Sequence, residues 1–97
     1  MIVIFRVDLV NAGGEVFALF PEDPASIDGN LCTSYQHIGQ HGAADYDFCI
    51  ARSRQASAAE RAPLLAELRQ IGYTDLLIRE RATREMHLKR RAMAQSR

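Results

Sequence analysis

The amino-acid sequence predicts a single α+β domain over residues 1–97, built on a mainly antiparallel sheet. Three observations lead to this class. The chain opens with two apolar runs joined by a glycine-containing turn, which is typical of a β-hairpin. A capped amphipathic helix follows only in the second half, and no βαβ unit repeats along the chain. With 97 residues and 47% apolar content, the chain is long enough for one hydrophobic core and too short for two.

The first strands are predicted from the alternation of side chains. Residues 2–10 alternate apolar side chains with Arg6 and Asp8, which indicates a half-buried strand. Residues 11–14 supply the turn, and residues 15–20 form a second apolar run. We therefore expect the chain to begin with a hairpin.

A long loop is expected next, over residues 21–30. Two prolines end the second strand, and Asp28-Gly29-Asn30 is a strong turn sequence. Residues 31–38 then alternate as a third strand would. The glycines at 39 and 42 predict a sharp turn, which we expect to be followed by one helical turn at 43–47 and a short strand at 48–51.

The clearest helix is predicted over residues 57–71. Ser57 and Glu60 have the spacing of a capping box, and Gly72 supplies the C-terminal cap. Pro63 lies beyond the first turn and removes one helical hydrogen bond, so we expect a kink or a late start. Four apolar residues share the predicted buried face: Leu64, Leu65, Leu68 and Ile71.

A further strand is predicted at about 74–80, returning beside the hairpin, and a basic helix from about residue 82. The apolar stripe of this last helix is thin, so we expect it to dock at an end of the sheet or to project in part. Any disorder should be confined to the last few residues.

The charge is unevenly distributed along the chain. Residues 1–50 contain one basic and seven acidic residues, whereas residues 79–97 contain seven basic and two acidic ones. This polarity could attract an acidic partner to the tail, or it could be neutralised within the fold or across a homodimer.

Neither an export signal nor a membrane-spanning segment is expected, because the opening apolar run is short and contains Arg6 and Asp8. We therefore expect a cytoplasmic protein without a membrane partner. In that compartment Cys32 and Cys49 should be reduced thiols, with small buried hydrophobes as their simplest role.

Residues 31–49 gather most of the side chains that can perform chemistry. A metal site could use four of them: Cys32, His37, His41 and Cys49. The same thiols and imidazoles, with Asp45, are the ingredients of nucleophilic catalysis. However, no Cys-x-x-Cys pair is present and glycine separates the histidines, so the sequence implies no cofactor and favours a protein that is not an enzyme.

Protein binding requires no special arrangement of these residues, in contrast to metal binding or catalysis. Polar and amphipathic side chains on a bent segment are suited to directional contacts with a partner. The candidate contact residues are Tyr35, Gln36, His37, Gln40, His41, Asp45 and Tyr46. The alternative role for the two tyrosines is to cap the sheet core.

Nucleic-acid binding is the second hypothesis, since a basic helix can contact phosphates. Its candidate residues are Arg84, Lys89, Arg90 and Arg91. His87, in the same helix, is expected to be a solvated side chain.

Four stretches resemble a group of small uncharacterised bacterial proteins found near phage and conjugative-element genes. They are residues 19–22 (LFPE), residues 34–46 (SYQHIGQHGAADY), and residues 65–68 (LAEL) with 71–73 (IGY). The resemblance covers roughly residues 1–80 and leaves out the basic tail. It implies an accessory protein of a mobile element and no particular activity. Small proteins of such elements often occupy the surface of a host or defence complex.

Overall fold

The computed structural model describes residues 1–10, 14–37 and 40–96. Predictions for residues 11–13, 38, 39 and 97 lie outside this part of the chain. The strands are β1 (Ile2–Asp8), β2 (Val16–Pro24), β3 (Cys32–Gln36), β4 (Gln40–Ala44), β5 (Ser53–Gln55) and β6 (Leu77–Ile78). The helices are α1 (Tyr46–Ala51), α2 (Ala58–Gln70) and α3 (Arg84–Gln95).

The strands form one sheet in the order β4-β3-β2-β1-β5, and β6 pairs with β1 as well. The β1–β2 pair is the antiparallel hairpin that the sequence predicts. Strand β6 runs parallel to β1 and is much shorter than the predicted strand at 74–80. The predicted α+β class is confirmed, with an antiparallel sheet that starts with a hairpin and a chain that ends in a helix.

Helices cover both faces of this sheet. Because side chains alternate along a strand, Phe5 and Phe20 face α2, where they pack with Leu64 and Leu68. Ile4 lies in a second cluster on the opposite face, beside α1. The prediction of a half-buried first strand is therefore wrong, since β1 is buried on both faces.

Arg6 shows how the second face accommodates a charge. Its guanidinium donates hydrogen bonds to the hydroxyl and the carbonyl of Ser53 and to the carbonyl of Ile50. Burial lowers the pKa of Arg6. This side chain, expected in solvent, instead ties β1 to the end of α1 and to β5.

The region after the third strand differs from its prediction. Residues 40–44 form strand β4, so Gly42 lies within a strand and not at a bend. Residues 46–51 form a helix because the Asp45 side chain accepts a hydrogen bond from the Phe48 backbone N–H and caps it. The predictions of a helical turn at 43–47 and a strand at 48–51 are therefore wrong, and a separate short strand, β5, follows the helix at 53–55. A stretch of four or five residues is too short to distinguish the helical period of 3.6 residues from the strand period of two.

Helix α2 follows its prediction closely. Ser57 caps it and forms the predicted capping box with Glu60. The helix runs through Pro63 without interruption, so the expected late start does not occur. Ile71 is the C-terminal cap and is half exposed, and Gly72 follows with a positive φ of 121°.

Helix α3 is docked along its length and does not project. Its close approach to the turn after β2 requires Gly29, because a Cβ atom there would lie 2.7 Å from the Arg91 Cα. Gly29 also has a φ of 74°, which glycine adopts without strain. Lys89 lies 3.4 Å from Glu22, so part of the charge polarity is neutralised within the fold.

Candidate functional site

The predicted contact segment forms the edge of the sheet. Within the described residues β4 pairs with β3 alone, in a regular register that places Tyr35 opposite His41 and Gln36 opposite Gln40. Every β4 residue except Ala44 is exposed. The outer backbone groups of β4 therefore face away from the sheet.

On the α2 face, the start of this segment is clamped to α2 through Glu67. The hydroxyl of the buried Tyr35 donates to one carboxylate oxygen of Glu67. His37 Nδ1 lies 2.5 Å from the other oxygen. The His37 side chain is 74% exposed, whereas that of Glu67 is only 20% exposed. The His37 imidazole is thus at the surface, and the partly buried Glu67 carboxylate fixes its position.

His41 extends the same cluster along β4. Its Nε2 lies 3.0 Å from the Tyr73 hydroxyl, and its ring meets the Tyr35 ring edge-on at 4.7 Å. Tyr73 in turn stacks on Phe20, and burial raises its pKa. These contacts join the edge strand to the core beneath α2.

Tyr46 and Asp45 lie on the opposite face of the sheet. The Tyr46 hydroxyl accepts a hydrogen bond from the backbone N–H of Ala82, and its ring packs edge-on against His87. Asp45 caps α1 and is exposed. Tyr35 and Tyr46 therefore pack within the fold, as the alternative role proposed for them requires. The exposed members of the predicted set are Gln36, His37, Gln40, His41 and Asp45.

The four candidate metal ligands do not come together. Cys32 is buried on the α1 face and Cys49 is half buried nearby, whereas His37 and His41 lie on the α2 face, across the sheet. Burial raises the pKa of Cys32 to about 11, which leaves a neutral thiol. In residues 1–10, 14–37 and 40–96 no group of His, Cys, Asp and Glu is arranged to hold a metal ion.

The basic helix offers fewer phosphate contacts than its sequence suggests. Arg90 is only 2% exposed, and its guanidinium donates to the carbonyls of Gly29 and Pro21. Lys89 is engaged by Glu22. Arg84 and Arg91 remain exposed, but they line an open groove of about 790 Å³ that Asp45 and Asp47 also line. Arg90 is therefore an internal anchor that a phosphate does not reach.

A cleft beside β4 was not found from the sequence. It has a volume of about 360 Å³ and lies between α1 and the part of the sheet that α1 leaves uncovered. Its lining includes Ser34 and Gln36 of β3 and Ala43 and Ala44 of β4. Phe48 of α1 and Arg52, the residue that caps the end of α1, line it as well. The Arg52 guanidinium lies 4.7 Å from the centre of the Phe48 ring, which is 58% exposed.

Two carboxylates, Asp8 and Asp45, also line this cleft. Burial raises the pKa of Cys49, both carboxylates raise it further, and Arg52 opposes them. The sequence signal that could have indicated this site is the run of small residues 42–44 directly before the helix cap.

The fold and the site together define a class: a small α+β protein that presents an open sheet edge with a cleft beside it. None of the helices in the described ranges is long and apolar enough to cross a membrane. No family model, curated protein or solved structure matches this chain.

Proposed function

We propose that this is a non-enzymatic binding protein that accepts an extended segment of another protein as an additional strand on β4. The observation that carries the proposal is the position of β4 at the open edge of the sheet. Main-chain hydrogen bonds to such an edge supply affinity, and the neighbouring side chains supply specificity.

The composition of β4 supports this use. Exposed sheet edges are normally protected from pairing by lysine, proline or a bulge. Strand β4 reads Gln-His-Gly-Ala-Ala, and its pairing with β3 continues without a register shift. This edge therefore lacks the usual protection, as expected of a surface that receives a strand.

The rigidity of the edge also favours binding. His37 is held by Glu67, and His41 contacts Tyr73, so the residues that flank β4 and lie on it are positioned before a partner arrives. Preorganised surfaces lose less conformational entropy on association. A partner strand would meet an edge that is already ordered.

The resemblance of residues 34–46 to proteins of mobile elements suggests the source of the partner. An accessory protein of that kind would act in the bacterial cytoplasm on a host or defence complex. In this proposal the binding partner is a protein, and His37, Gln40 and His41 make side-chain contacts beside the added strand.

The test compares two substitutions of exposed alanines that add the same charge. Ala43→Lys places lysine on the edge strand, whereas Ala66→Lys places it on the surface of α2. We expect affinity capture from a bacterial lysate to lose its specific partner by about tenfold or more with Ala43→Lys. Capture by Ala66→Lys should match the wild type.

Two results would contradict the proposal. Equal capture by both variants would remove β4 from the interface. If sedimentation shows that the edge substitution abolishes only a homodimer and leaves the capture of other proteins unchanged, the occupant of the edge is a second copy of this chain.

A further inference from the structure

We infer that the cleft beside β4 receives a lysine or arginine side chain from the partner strand. This inference rests on the proposed strand addition and specifies the chemistry of the segment that binds. Three features of the described residues carry it: the face on which the cleft opens, a glycine at the edge, and the charge of the lining.

The cleft opens on the α1 face of the sheet, which is the face toward which every second residue of β4 is directed. Ala44 faces α1, where it packs in the cluster that contains Cys32, its partner in the register. Gly42 is two residues earlier and opposite Ser34, so it lies on the same face. A partner residue placed beside Gly42 would therefore direct its side chain toward α1 and the cleft.

Gly42 keeps the path into the cleft open. Its φ is not in the left-handed region, so the backbone at this position does not require glycine. A Cβ atom there would lie 3.3 Å from the Ser34 hydroxyl oxygen, against the lining of the cleft. Glycine within a strand often marks a place where a ligand or another backbone approaches closely.

The lining fits a long side chain with a cationic end. Asp8 and Asp45 bring two negative charges to the lining and Arg52 brings one positive charge, so the lining is negative in sum. The Arg52 guanidinium lies over the Phe48 ring. Phe17 and Phe48 offer apolar surface for a methylene stem. Lysine and arginine combine such a stem with a positive head group, and their stems commonly pack along apolar surface.

The test uses pools of short peptides that are randomised except at one central position, which is lysine, arginine, alanine or glutamate. Binding of each fluorescent pool to the wild-type protein is measured by anisotropy. We expect the lysine and arginine pools to bind about tenfold more tightly than the glutamate pool, with the alanine pool between them. Added salt should reduce this preference.

Two variants separate the contribution of the cleft to peptide binding from that of the edge backbone. Asp8→Asn combined with Asp45→Asn removes both charges while asparagine still caps α1. Gly42→Val closes the path and leaves the edge backbone in place. Both should reduce the charge preference to about twofold or less while the alanine pool binds as before. Urea unfolding of each variant verifies that it is folded.

The outcomes distinguish this inference from the proposed function. Equal affinity for the lysine and glutamate pools would overturn the cleft assignment and leave strand addition intact. Failure of every pool to bind would also overturn it, whereas strand addition itself is tested by the comparison of Ala43→Lys with Ala66→Lys in the lysate. A preference that persists in the Asp8→Asn/Asp45→Asn variant would overturn the assignment of the charges.

Discussion

At the scale of single residues, His87 differs most from the expectation that it is a solvated side chain. It is half buried between the Tyr46 ring and Arg90, and its Nδ1 lies 2.8 Å from Arg90 Nη1. Because a guanidinium only donates hydrogen bonds, Nδ1 must be the acceptor and the ring must be neutral. Burial lowers the pKa of His87, Arg90 and Arg91 lower it further, and Asp47 opposes them.

His87 should make the stability of the protein depend on pH. Because its pKa is lowered by folding, the unfolded chain takes up the proton more readily, and stability falls as pH decreases through the ordinary value of 6.5. The loss ends once pH is below the folded-state pKa. His87→Gln keeps an acceptor for Arg90 but does not titrate.

Urea unfolding of both proteins, from mildly alkaline to mildly acidic pH, measures this contribution. His37 and His41 are present in both and cancel in the difference. We expect the advantage of the wild type over His87→Gln to shrink as pH falls, and a constant difference would contradict the prediction.

At the scale of elements, α3 is the part whose role changes most between sequence and structure. The buried residues of α3 are Met86, Arg90 and Ala94. The apolar stripe of the helix is thin because one of these three buried positions is an arginine. The charge is accommodated because the Arg90 guanidinium meets two backbone carbonyls and His87. The basic pattern that suggests a nucleic-acid-binding surface therefore includes Arg90, the residue that anchors α3 to the rest of the fold.

The adjacent arginines 90 and 91 provide a matched test of this anchor. We expect Arg90→Ala to lower the free energy of unfolding by about 3 kcal/mol, because buried carbonyls lose hydrogen bonds to a charged donor. Arg91 is exposed, so Arg91→Ala should change it by less than about 0.5 kcal/mol. Urea titration gives both values, and equal effects would show that α3 is held by other contacts.

At the scale of the whole molecule, helices lie on the two faces of the sheet, and β4 forms one of its two edges. Helix α2 covers one face and α1 part of the other, and β5 and β6 share the edge along β1. The network around Glu67 then connects the β3–β4 hairpin to α2. The edge strand and the packing under α2 are in this way physically linked.

Glu67→Ala should loosen this connection. We expect a loss of about 2 kcal/mol in unfolding free energy, because hydrogen bonds from Tyr35 and His37 to a partly buried carboxylate are removed. Native-state hydrogen exchange should become faster at β4 amides than at β1 amides. Glu80→Ala, on an exposed glutamate, is the control, and unchanged exchange at β4 would contradict the prediction.

The sequence by itself determined the local features whose causes are local. Apolar runs located most of β1 and β2, and the Ser57–Glu60 spacing defined the start of α2, because these signals lie within one element. The burial of both faces of β1 and the continuation of β2 through Pro21 to Pro24 were not predicted. Only the tertiary structure decided that β4 is an edge of the sheet, that Arg90 is internal, and that the two cysteines lie on the face opposite His37 and His41. Each of these three features depends on which distant segments of the chain pack together. Such contacts, for example the hydrogen bond from Arg90 to the Pro21 carbonyl, leave no periodic signal in the sequence.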